Sequence, residues 1–179
     1  MCIRDRWSSA VLALVTVVGA LALIVARLLA SRVPRIGSVG RWFTRHRTSW
    51  TAAVAGVATL GSLYFSEIAD YVPCRLCWFQ RIAMYPIALV AVIALVRRDR
   101  DARWYMVPMA AIGLVIATYH FLIERGVLQD NEACSLFGPP CSAVWYEEFG
   151  FVTMAFSALA AFAFVIVVNT LSFPREELS

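Results

Sequence analysis

The sequence predicts an all-α integral membrane protein: a four-helix transmembrane bundle with an additional N-terminal transmembrane helix. Three observations lead there. With 61% hydrophobic and 16% charged residues in 179, and a mean hydropathy of +0.72, the chain is too apolar for a water-soluble domain. Five apolar segments have the length a bilayer crossing needs, about 20 residues for a hydrocarbon core of about 30 Å. Arginines crowd into two of the connections between those segments.

The first segment covers about residues 9–29 and carries no charge before Arg27. The second covers about 49–68, where Gly56 and Gly61 are expected to admit a close neighbouring helix. The third, about 78–96, holds Arg81 near one end and Pro86 further in, and the expected role of Pro86 is a packing kink. In the fourth, about 105–123, Pro108 falls in the first turn, where proline costs little. The fifth covers about 149–171. The expected organisation is an N-terminal helix and basic loop over 1–48, four helices over 49–173 and a tail over 174–179.

Orientation follows from the connections. Arg32, Arg35, Arg41, Arg45 and Arg47 lie between the first two segments, and Arg97, Arg98, Arg100 and Arg103 between the third and fourth. The positive-inside rule places both in the cytoplasm, with the N-terminus outside and the tail inside. A cleaved signal peptide over the first segment would reverse the second helix against that rule, so a retained helix is expected. The basic balance thus reports orientation and membrane lipid, and it gives no reason to expect nucleic acid.

The chain has five cysteines. Cys74 and Cys77 form a Cys-x-x-Cys pair at the start of the third segment, and Cys134 and Cys141 bracket a Gly-Pro-Pro turn in the long connection before the fifth. Cys2 is left without a role. The orientation read from arginines puts both pairs on the outer, oxidising side, where disulfides persist. A helix beginning near Cys74 would carry Cys77 and Arg81 on one face, i to i+4. Arginine at that depth calls for an anionic or polar partner, either a quinone carbonyl or a lipid phosphate. Trp78, Phe79 and Tyr85 flank either a flat ring or an interfacial aromatic belt. For the cysteines the plain alternatives are a static staple and a four-cysteine zinc site; zinc ordinarily organises a soluble module, so no metal is expected. His120 is either a packing residue or a proton handler.

The run Pro73-Cys74-Arg75-Leu76-Cys77-Trp78-Phe79-Gln80-Arg81, followed by Met84-Tyr85-Pro86, the pair Cys134 and Cys141, and Gly150-Phe151, resembles the DsbB family, especially its BdbC-type members. The resemblance covers roughly residues 49–171. It implies a bacterial plasma-membrane thiol:quinone oxidoreductase that reoxidises a DsbA-like, thioredoxin-fold dithiol oxidase outside the cytoplasm, using ubiquinone or menaquinone. Under it, Cys134 is the thiol attacked by the partner, Cys141 its loop mate, and Cys74 the residue exchanging with that pair. Cys77 donates electrons to quinone, Arg81 binds and polarises the quinone, and His120 matches a histidine near the quinone site. The additional first helix and the close spacing of the second pair depart from the family pattern. Two other readings stand beside this one: a vitamin-K-epoxide-reductase-like enzyme, disfavoured by the motif's position and by Gln80-Arg81, and a non-catalytic scaffold with stapled or zinc-bound cysteines.

Overall fold

The computed structural model describes residues 3–30, 34–99, 101–129 and 139–173. Among them are six helices and no strand: α1 (Ile3–Leu29), α2 (Pro34–Arg45), α3 (Arg47–Glu67), α4 (Arg75–Arg97), α5 (Arg103–Glu124) and α6 (Met154–Thr170). Helices α3, α4, α5 and α6 pack in that order around a ring, and α1 lies against the outside of α6. The core of the ring is made of small side chains, with Ala55, Ala91, Ala110, Ala117 and Ala161 buried around Met106, Ile87 and Phe162. Branched residues such as Leu60, Leu89, Val96 and Val115 point outward. That inside-small, outside-branched arrangement suits helices in lipid, where close backbone packing holds the bundle and a hydrophobic surface costs nothing.

Among the described residues, three helices are both long and apolar enough to span by themselves: residues 7–29 of α1, then α4 and α5. Helix α3 has the length, with 21 residues, but Thr51, Thr59 and Ser62 dilute its apolar character. Helix α6 is shorter than expected, with 17 residues, because the segment before it turns instead of coiling. Phe149 and Gly150 both take positive φ (54° and 76°), and Glu148 and Val152 close a bridge across them. Thr153 then caps α6, its hydroxyl accepting the N–H of Phe156 at 3.2 Å.

Two expectations are corrected. Residues 34–45 form a helix in place of a loop: Pro34 starts it, and apolar and basic side chains segregate around it, Trp42 and Phe43 joining Trp50 in an aromatic cluster. Such a basic, aromatic helix suits the membrane surface. Gly56 and Gly61 meet no close neighbour; tight approaches are at Gly113, where a Cβ would fall on the ring of Phe162, and at Gly40, where it would fall on the ring of Phe173. Helix α4 continues through Pro86 to Arg97.

Candidate active site

Helix α4 is built on a cysteine. Cys74 is its N-cap, in extended conformation (φ −69°, ψ 171°), and the Cys74 sulfur accepts the N–H of Cys77 at 3.3 Å. Capping folds the first turn back on itself, so the two sulfurs lie 2.8 Å apart. They are placed to close and open a disulfide within a single turn. Cys74 is 3% exposed. Its thiol is pushed up to about 12, first by the hydrogen bond with Cys77 and then by burial, against the opposing pull of His120.

Behind the pair stands a buried polar chain. Gln80 donates its amide to His120 Nδ1 at 3.2 Å, which leaves the proton on Nε2. That Nε2–H faces the Cys141 carbonyl at 3.2 Å and the Cys74 sulfur at 3.6 Å. Glu124, one turn on with its side chain 3% exposed, lies 3.9 Å from the same nitrogen and accepts a hydrogen bond from Thr153. Cys141 is fully buried and packs with Cys74, Leu76 and Ile123. The chain thus joins both cysteine loops to α5 and to the start of α6.

On the other side of the pair lies Arg81. Its Nε donates to the Ser62 hydroxyl at 2.9 Å and its Nη2 to the Ser62 carbonyl at 3.1 Å, while Tyr85 donates to the same hydroxyl at 3.4 Å. The guanidinium also sits 5.2 Å over the Trp78 ring. Arg81 is therefore tethered to α3, one turn along α4 from Cys77.

Cys77, Gln80 and Arg81 open onto a cavity of about 380 Å³ in the gap between α3 and α6. It follows α3 from Phe65 to Trp50 and is mostly apolar along its length. Its Cys77 end is roofed by a ladder of rings: Tyr71 stacks on Phe65 (centroids 5.8 Å apart, planes 2° apart) and on Trp145 (5.0 Å, 17°), and Tyr146 stacks on Phe65 (5.7 Å, 29°). Near its opposite end, by Trp50, Asn169 of α6 donates to Thr51 of α3 at 2.7 Å.

A family model described as disulfide bond formation protein DsbB matches residues 44–172. The chain belongs to the DsbB family. As a DsbB-family member it is 43% identical over 119 residues to disulfide bond formation protein C of Bacillus subtilis, covering 66% of this chain and 85% of that protein. A probable disulfide formation protein C 1 of Bacillus anthracis is 42% identical over 122 residues (68% and 86%). A probable disulfide formation protein of Deinococcus radiodurans is 37% identical over 142 residues (76% and 92%). No solved structure matches. The chain is accordingly a multi-pass membrane oxidoreductase of disulfide formation.

Of the six residues singled out in the sequence, Cys74, Cys77, Arg81, His120 and Cys141 converge here; Cys134 lies outside the described residues. His120 contacts Cys74 and is joined to the cavity through Gln80. Trp78 and Phe79 face outward, 54% and 41% exposed, as a belt would. The rings at the Cys77 end of the cavity are instead Phe65, Tyr71, Trp145 and Tyr146, brought together from α3 and two loops. Ser62 and Glu124 also went unread, although the i, i+4 spacing of His120 and Glu124 was a usable signal. Cys74, Cys77 and His120 place three ligand atoms within 4.8 Å of one another, so a soft metal ion is the competing occupant of the reduced pair.

Proposed function

We propose that this DsbB-family protein is a thiol:quinone oxidoreductase that reoxidises a DsbA-like dithiol oxidase outside the cytoplasm. The observation that carries the reading is the cysteine pair poised between two environments. Cys77 and Arg81 face an apolar cavity, while Cys74 is buried against Cys141 of the second loop. The donor set suits a quinone: a tethered guanidinium beside the thiol for a carbonyl oxygen, stacked rings near it and apolar walls beyond. A bound quinone supplies a two-electron, two-proton acceptor that diffuses in the bilayer.

The residues divide the work. A partner thiolate attacks Cys134 in a Cys134–Cys141 disulfide and releases Cys141. The partner's second thiol then displaces Cys134, leaving the loop pair reduced and the partner oxidised. The Cys141 thiolate next attacks Cys74, against which it packs, in a Cys74–Cys77 disulfide and releases Cys77. Cys134 then displaces Cys74 from Cys141, so the loop disulfide reforms and Cys74 and Cys77 hold the two electrons. Hydrogen bonding and burial keep the Cys74 proton in place, so charge is directed to Cys77 at the cavity. His120, held by Gln80 and Glu124, handles the proton of the Cys74 side.

The test supplies purified protein with a reduced dithiol partner and a soluble quinone analogue and follows quinone absorbance. Reduction that depends on the cysteines is expected; its absence overturns the reading. Arg81→Ala removes charge-assisted hydrogen bonding of about 1.5–3 kcal/mol, so the quinone KM should rise about 10- to 100-fold with less change in partner oxidation. Cys141→Ser should trap a mixed disulfide through Cys134, seen as a partner adduct on non-reducing gels. A metal analysis of reduced protein separates the rival reading: stoichiometric zinc on Cys74, Cys77 and His120 would favour a structural site.

A further inference from the structure

We infer that α1 is the fourth wall of the cavity and holds the apolar tail of the quinone whose head group lies at Cys77 and Arg81; this rests on the quinone reading above. Helices α3, α4 and α6 supply three sides, but the gap between α3 and α6 is faced by α1 through Leu12, Val15 and Thr16. The family match begins only at residue 44, so this wall lies outside the part that defines the family.

The packing of α1 fits a fixed wall. Ala10 and Ala13 are buried beside Val152 and Phe156, and Ala20 and Leu23 beside Phe164 and Val168, so its small-residue face is docked on α6. The adjoining face carries large apolar residues toward the cavity. Leu12 and Val15 line it while remaining 50% and 62% exposed, which makes them the rim of a lateral opening. The cavity has the length for a tail: the lining run of α3 from Phe65 to Trp50 rises roughly 20 Å along the helix. Its polar groups Arg81, Gln80 and Ser62 gather at the Cys77 end, and α1 lines it with the apolar Leu12, Ala13 and Val15, flanked by the hydroxyls of Ser9 and Thr16. The same chemistry, an extended apolar chain, is also presented by phospholipid acyl chains, and the experiment separates the two.

The full chain in nanodiscs is irradiated with a quinone analogue whose decyl tail ends in a diazirine. Trypsin cuts after Arg6 and Arg27, so α1 is recovered as peptide 7–27. Labelling of that peptide at Leu12, Val15 or Thr16 is expected, suppressed by excess long-tailed quinone but not by a tailless analogue. Val15→Trp should reduce labelling several-fold and raise the KM of long-tailed quinone while sparing the tailless one. Val18→Trp, on an equally exposed position away from the cavity, should change neither. Label confined to α3, α4 and α6, or label on 7–27 that quinone does not displace, overturns the inference; the latter marks ordinary lipid contact. A protein that reduces both quinones and is indifferent to Val15→Trp overturns it while the quinone reading stands. Failure to reduce or bind either quinone overturns both.

Discussion

The chemistry of the cysteine pair is set by which sulfur keeps its proton. Cys74 accepts the Cys77 backbone N–H, faces the Cys77 thiol and is buried, and these contacts push it up to about 12. A raised acid stays neutral until pH approaches that value, so across the neutral range Cys74 is a thiol and a poor nucleophile. In reduced protein, a maleimide should therefore modify Cys77 well ahead of Cys74 at mildly alkaline pH. The Cys74 rate should climb as pH rises toward about 12. Trypsin cleaves at Arg75, between the two, so mass spectrometry reads each separately; equal rates would contradict the assignment. Cys77 and Arg81 were legible together because helix geometry alone relates residues four apart. Ser62, which anchors Arg81, was not: it is nineteen positions away on another helix, and only the α3–α4 packing introduces them.

Among the elements, α5 and α6 show how close packing frames the site. Gly113 lies under the ring of Phe162, and Phe162 also lines the cavity, so the spacing of these helices sets the cavity's floor. Gly113→Ala should force the ring aside and destabilise the bundle by about 1–3 kcal/mol, the usual penalty of overpacking, despite alanine's better helix propensity. Thermal melting in detergent measures it, and adding Phe162→Leu should recover part of the loss; a stabilised single variant would contradict the packing. The apolar segments themselves were readable from composition, but their use was not. Gly56 and Gly61 looked like contact points, yet Gly61 borders the cavity, because glycine's lack of a side chain serves an empty space as well as a close neighbour. The ring ladder was hidden for the opposite reason: Tyr71 and Trp145 come from separate connections and meet only when α3, α4 and α6 are assembled. Helix α2 escaped because glycines at 37 and 40 lower its helix propensity, which packing against Phe173 at Gly40 and the aromatic cluster outweighs.

For the whole molecule the decisive quantity is sidedness, since a relay between an external dithiol and a membrane acceptor requires both cysteine loops outside. Among the described residues three helices are long and apolar enough to span, and α3 and α6 pack with two of them in the same ring. The expected arrangement follows from arginines: those of α2 with Arg47, and those between α4 and α5, on the inner side. Reporter thiols test it in a chain whose native cysteines are replaced by serine. Val127→Cys lies in the connection after α5, 67% exposed, and Arg98→Cys lies in the connection after α4. A membrane-impermeant maleimide should label the first in intact cells and the second only after permeabilisation. The opposite pattern would place Cys74 and Cys141 in the reducing cytosol, where glutathione would hold both pairs reduced and the direction of electron flow proposed above could not be sustained.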